Sequence, residues 1–155
     1  MSKERQLIDN KKIVCVSGGF DPIHIGHVRM IQDAAKLGHV IVIANSDDWL
    51  VRKKGYAFMP YKERQEILYA IKGVVDVVQA KDDDNTVCKT LRHLNPHIFA
   101  NGGDRGDRNT PEMSVCKELG IQMVWGMGGN DKPQSSSWLI DKVKFAAYDD
   151  GKVKF

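Results

Sequence analysis

Short β-branched runs take turns with stretches of helical spacing along almost the whole of this 155-residue chain, and that alternation limits the folds open to it more than any other feature. Ile13 to Ser17, Val40 to Ala44, Val74 to Val78, Pro96 to Ala100 and Gln122 to Trp125 read as strands. Between them, His27 to Leu37, Tyr61 to Ile71, Thr86 to Leu94 and Pro111 to Leu119 carry apolar residues at helical intervals. The second run, Val40-Ile41-Val42-Ile43-Ala44, is apolar throughout, as a strand covered on both faces must be. Gly38 stops the first helix, and Pro111 suits a first helical position. The pattern predicts an α/β fold of the Rossmann-like, doubly wound kind: a parallel five-stranded sheet with helices on both faces. Ligands of such sheets lie beyond the carboxyl ends of the strands, where the strand order reverses.

The first strand runs directly into Gly18-Gly19-Phe20-Asp21-Pro22-Ile23-His24-Ile25-Gly26-His27, which opens the first helix. Backbone N–H groups at a helix start lack partners and carry the positive end of the helix dipole, so this junction suits an anion, phosphate before any other. Gly18 and Gly19 remove the Cβ atoms that would keep a ligand from the backbone, and Gly26 permits tight packing. His24 and His27, three apart, share a face of the first turn. Polar residues also follow two other strands: Asn45-Ser46-Asp47-Asp48-Trp49 and Asn101-Gly102-Gly103-Asp104. Both are expected in loops facing the same crevice, with capping of the next helix as the alternative task of Asp47 and Asp48. Arg52-Lys53-Lys54-Gly55 is a basic cluster in an expected loop. Ser135-Ser136-Ser137 opens a last helix, a place where hydroxyls serve both as caps and as phosphate ligands.

A hydrophobic content of 42% at this length supports one domain, 1–155, with its core over about 13–140 and a tail over 141–155. The net charge of +3 arises from 23 basic and 20 acidic residues that are interspersed, so the basic stripe demanded by duplex nucleic acid is missing. Cys15, Cys88 and Cys116 are far apart in sequence and odd in number. They argue against a disulfide framework or a zinc site and read as reduced, mostly buried thiols. Met1 to Lys12 is polar and charged, unlike a signal peptide or an anchor, and no run reaches membrane-spanning length. A cytoplasmic location is the expectation. His39, His93 and His97 stand at element ends without partner motifs and read as structural.

The stretch from Gly18 to His27 resembles the signature of the HxGH nucleotidyltransferase superfamily, in its small cytidylyltransferase-like branch, where strand, turn and helix read G-x-F-D-x-x-H-x-G-H. That resemblance implies catalytic roles for His24 and His27 and for Lys53 or Lys54, one of which reaches the triphosphate from beside a K-G pair. It implies nucleotide binding by Gly18, Gly19, Phe20, Asp21 and Gly26. It extends nucleotide binding to Arg64 within Glu63-Arg64-Gln65-Glu66-Ile67-Leu68, and to Asn101, Gly103 and Asp104. Asp47 and Asp48 match a segment that serves the acceptor. Ser135, Ser136 and Ser137 resemble the hydroxyls of R-T-x-G-x-S-T-T, which hold the β and γ phosphates. The arginine position of that motif holds Asn130, and Lys132 is the residue able to supply its charge from a shifted place.

The implied reaction is attack by a phosphate or phosphonate oxygen of a small acceptor on the α-phosphorus of CTP or ATP, with release of pyrophosphate. A phosphate oxygen is already ionised at neutral pH, so the protein's task is alignment and charge stabilisation. Mg2+ is expected to arrive bound through the triphosphate, with no direct protein ligand. CTP is the expected nucleotide; ATP with a sugar phosphate such as heptose 1-phosphate is the alternative, since the spacing resembles glycerol-3-phosphate-type cytidylyltransferases and heptose-phosphate adenylyltransferases alike. A non-catalytic nucleotide-binding module is the alternative of another class. His24-Ile25-Gly26-His27 also spells the HIGH motif of class I aminoacyl-tRNA synthetases, but the chain is too short for an anticodon-reading enzyme and has no K-M-S-K-S. The expected partners are small-molecule substrates and a second copy in a homodimer, as relatives commonly form, with neither nucleic acid nor membrane.

Overall fold

The computed structural model describes residues 10–102, 110–129 and 134–147. Along them run β1 (Ile13–Gly18), α1 (Ile25–Ala35), β2 (His39–Ala44), α2 (Asp47–Lys54), α3 (Tyr61–Tyr69), β3 (Val74–Gln79), α4 (Cys88–Leu94), β4 (Ile98–Gly102), α5 (Pro111–Leu119), β5 (Gln122–Met127) and α6 (Ser136–Ala147). The strands pair in the order β3-β2-β1-β4-β5, every pair parallel. The chain therefore begins in the middle of the sheet, winds to one edge, returns and winds to the other. The reversal falls between β1 and β4, and the crevice it creates opens past Gly18 and Gly102. This is the Rossmann-like doubly wound sheet that the sequence predicts.

Alternation along β1 feeds two cores. Val14 and Val16 join one apolar cluster with Ile31 and Ala34 of α1 and Leu68 of α3. Cys15, between them, joins another with Leu91 of α4 and Val115 and Cys116 of α5. Helices thus cover both faces, and each fully buried valine contributes about 1.5 to 3 kcal/mol of hydrophobic stabilisation. Two polar fasteners fix the start of β1. His97 Nδ1 accepts the Ile13 N–H at 3.0 Å, and the His39 N–H donates to the Lys12 carbonyl at 2.8 Å. Any Cβ at Gly38 would run into that same Lys12 oxygen, so the residue that ends α1 is also required by a close backbone approach.

One expectation needs correction. The polar stretch after β2 is mostly helix, not loop. Ser46 Oγ accepts the Trp49 N–H at 3.1 Å as N-cap of α2, and Gly55 closes the helix at φ +89°. Only Leu50 of α2 is buried, so its eight residues carry no apolar stripe to betray them. The cysteines, distant in sequence, are gathered in space: Cys15 and Cys116 lie within the second apolar cluster and Cys88 packs against it, all three as free thiols. Burial, reinforced by the neighbouring Cys116, raises the Cys15 thiol to about 12. Burial, with Glu112 and Cys88 adding to it, raises Cys116 to about 11. No helix among the described residues is long and apolar enough to cross a membrane.

Candidate active site

β1 delivers the chain to the crevice and α1 leaves it, and between them the backbone is sharply shaped. Phe20 sits at φ 53° with its ring buried, a left-handed conformation that a bulky residue adopts only when its surroundings impose it. His24 is the N-cap of α1, and its Nδ1 accepts the Gly26 N–H at 3.0 Å. His27, three residues on, returns the favour: its Nδ1 accepts the His24 N–H at 3.2 Å. Two imidazoles thus do the reciprocal capping that a hydroxyl and a carboxamide usually do. The chemical consequence is a fixed tautomer. With Nδ1 accepting in both rings, the ring proton of each resides on Nε2, so the pair presents two neutral N–H donors. The rings stack with centroids 3.7 Å apart, and the edge of Phe20 meets His27 at 4.8 Å. Burial, and after it the neighbouring His24, lowers His27 to about 3.

Asp21 turns inward. Its carboxylate accepts the N–H groups of Phe58 at 2.7 Å and Met59 at 2.5 Å and pairs with Lys54 Nζ at 2.9 Å, while the Asp21 carbonyl accepts from the same ammonium at 2.6 Å. Both carboxylate oxygens are engaged by the chain itself, which fits a brace for the histidine loop rather than a ligand for nucleotide or metal. Among the described residues no group of three His, Cys, Asp or Glu side chains is arranged to hold a metal ion. Of the two candidate lysines, Lys54 is drawn to the histidine loop, whereas Lys53 lies over the Trp49 ring at 4.9 Å.

The resemblance implies a nucleotide contact for Arg64, yet the structure buries it completely. Its Nε donates to the Met59 carbonyl at 2.9 Å, its Nη1 to the carbonyls of Gly19 at 2.8 Å and Asn45 at 2.7 Å, and its Nη2 to Asp47 Oδ1 at 2.8 Å. One guanidinium therefore ties the end of β1, the end of β2, the start of α2 and the entry to α3. Asp47, assigned to the acceptor, is held by that bond, and Asp48 beside it is exposed. The faces of Gly18 and Gly19 that were to admit a ligand meet side chains: a Cβ would approach the Phe20 ring at 3.3 Å and Leu50 at 3.1 Å respectively.

The serine run divides its labour. Ser135 Oγ accepts the Trp138 N–H at 3.0 Å as a cap, Ser136 Oγ donates to the Pro22 carbonyl at 2.9 Å, and Ser137 is exposed. The Ser136 bond brings the α6 start against the histidine loop. Asn101, at the end of β4, donates to the Phe99 carbonyl at 3.3 Å. Gly103, Asp104 and Lys132 lie outside the described residues. Sequence reasoning passed over Tyr56 and Phe58, exposed aromatics in the turn fastened to Asp21, and, while placing Asn45 in a crevice loop, over the main-chain carbonyl by which this buried residue seats Arg64. Two aromatic residues between a K-G pair and a proline were the available signal for the former; a main-chain acceptor leaves none.

A family model described as cytidylyltransferase-like matches residues 15–107, which include most of β1, the histidine loop, Lys54 and Arg64. The chain belongs to that family. Among the curated relatives of this cytidylyltransferase-like chain, the bifunctional protein HldE of Streptomyces coelicolor is 35% identical over 115 residues, 72% of this chain and 24% of that protein. Its namesake in Citrifermentans bemidjiense is 32% identical over 144 residues, 90% of this chain and 28% of that protein. The chain thus spans about a quarter of the length of these curated relatives. In fold it is similar to the lipopolysaccharide core biosynthesis protein of Thermoplasma volcanium, with a TM-score of 0.61 at 20% identity over 74% of this chain and 94% of that one. A protein of unknown function from Archaeoglobus fulgidus aligns with a TM-score of 0.54 at 18% identity, covering 79% of this chain and 95% of that one.

Proposed function

We propose that this cytidylyltransferase-like domain transfers the nucleoside monophosphate of ATP to a sugar phosphate and releases pyrophosphate. The observation that carries the reading is the histidine pair: two imidazoles, each held by its own loop as an Nε2–H donor, at the start of a helix and at the reversal point of the sheet. Such a pair suits charge that develops on phosphate oxygens and needs no proton transfer. In the step proposed, an oxygen of the acceptor phosphate forms a bond to the α-phosphorus while the bond from that phosphorus to the bridging oxygen of pyrophosphate breaks. The electron pair leaves with pyrophosphate. His24 and His27 donate to oxygens of the transferring group, and the α1 dipole adds to them. Lys54 supplies the nearby positive charge, and Arg64 and Asp21 hold the loops that aim these donors. Mg2+ enters as part of the substrate MgATP and shields the phosphate charge.

ATP and a sugar phosphate are preferred over the CTP expectation because the resemblance to heptose-phosphate adenylyltransferases is joined by the 35% identity to a bifunctional protein HldE. A pyrophosphate-release screen of ATP and CTP against pyranose 1-phosphates, glycerol 3-phosphate, phosphocholine and phosphonates tests it. Turnover with ATP and a pyranose phosphate is expected. Preference for CTP with glycerol 3-phosphate would reverse the substrate assignment, and tight ATP binding without pyrophosphate release from any pair would mark a nucleotide-binding module.

A further inference from the structure

The turn between α2 and α3 carries an aromatic pair that the reaction above leaves without a task. Tyr56 is 38% exposed and Phe58 55%. The backbone beneath them is nevertheless fastened: the N–H groups of Phe58 and Met59 both donate to the buried Asp21 carboxylate, and the Met59 carbonyl accepts from buried Arg64. Rings held out to water forgo the stabilisation of burial, and the backbone that carries them is already ordered for a ligand, so little backbone entropy remains to be lost on binding. Lys54 Nζ stands 4.9 Å from the centre of the Tyr56 ring and 2.9 Å from Asp21, which sets a cation and an aromatic face side by side next to the histidine loop. The ligand that matches is one with a phosphate beside a face of C–H groups, because those hydrogens meet the negative face of an aromatic ring.

Topology selects which substrate this is. The Tyr56–Phe58 turn follows β2 through α2, whereas the serine run follows β5, so the two lie on opposite flanks of β1 and the histidines. Taking the serine run to hold the β and γ phosphates, as the resemblance implies, the β2 flank receives the acceptor, with Lys54 between the two beside the histidine loop. Resting on the nucleotidyltransferase reading above, we propose that Tyr56 and Phe58 form a platform on which the ring of the acceptor sugar phosphate stacks, and that they set the preference for cyclic over open-chain acceptors.

Calorimetry on the full chain saturated with a non-hydrolysable α,β-methylene ATP tests this, using a pyranose 1-phosphate and glycerol 3-phosphate as the two probes. The wild type is expected to bind the pyranose phosphate about tenfold more tightly, a difference of about 1.4 kcal/mol. A variant with Tyr56→Ala and Phe58→Ala should bind both alike, and one with Tyr56→Phe and Phe58→Tyr should keep the preference. Saturation-transfer NMR should show the sugar ring protons receiving magnetisation from aromatic protons in the wild type and the Tyr56→Phe, Phe58→Tyr variant, and not in the double alanine variant. Equal affinities in the wild type, or a preference that survives the double alanine variant, would overturn the proposal. Failure of the underlying reading is separate: it appears as no pyrophosphate release from ATP and either acceptor in the wild type, whichever way the affinities fall.

Discussion

His27 can be protonated only by undoing its own setting, because Nδ1 already accepts a backbone N–H and its stacked neighbour repels a second charge. Its folded value of about 3 lies below the ordinary 6.5, so between those limits the unfolded chain binds more protons than the folded one. The sign follows: stability contributed by neutral His27 is complete above about 6.5 and is lost as pH falls toward 3, at up to about 1.4 kcal/mol per pH unit. His27→Gln removes that dependence. Urea unfolding from pH 7.5 down to 4.5 should show the wild type losing about 1 to 3 kcal/mol more than the variant; parallel losses would contradict the assignment. From sequence, His24 and His27 are expected as a site because of what surrounds them, a strand before, a helix after and the Phe20-Asp21 pair at its offset, and not because of the bare spacing of two histidines around a glycine. Which nitrogen carries the proton is not legible, because that depends on which ring nitrogen accepts the backbone N–H groups of the N-cap.

At the scale of elements, the site is held by bonds between segments rather than within them. Arg64 joins the ends of β1 and β2 to α2 and α3, and it also secures the Gly19 carbonyl next to Phe20 in its left-handed conformation. Arg64→Met strips three carbonyls of their buried donor and is expected to cost about 3 to 5 kcal/mol, read as a fall in the urea midpoint. A loss below about 1 kcal/mol would deny the brace. The strands were legible because Val40 to Ala44 and Ile13 to Val16 are apolar runs that only a covered sheet accommodates. α2 was not, since one buried residue, Leu50, leaves no periodic signal, even though its Ser46 cap and Gly55 stop stand in plain view. Arg64 reads from sequence as one more cation near phosphate. Its inward course is decided by three carbonyl oxygens whose convergence belongs to the tertiary fold.

Across the whole molecule, a sheet that starts in its middle places the histidine loop at the reversal point and gives each face its own core. The thiols report on the face away from α1. With Cys15 at about 12 and Cys116 at about 11, the thiolate needed for reaction is scarce at pH 8. An aromatic disulfide reagent should modify at most Cys88 in the native protein and all three thiols after unfolding; rapid native modification of Cys15 would contradict the packing of β1 against α5. The central claim, that two neutral imidazole donors at the start of α1 stabilise a transferring phosphoryl group, is tested most directly by single-turnover pyrophosphate release from ATP and a pyranose 1-phosphate in His24→Ala and His27→Ala. Each variant should keep its circular dichroism at pH 7.5 and lose roughly 3 kcal/mol or more of transition-state stabilisation, on the order of a hundredfold in rate. A rate within about threefold of the wild type in either variant, far short of the loss of one such donor, would contradict the claim.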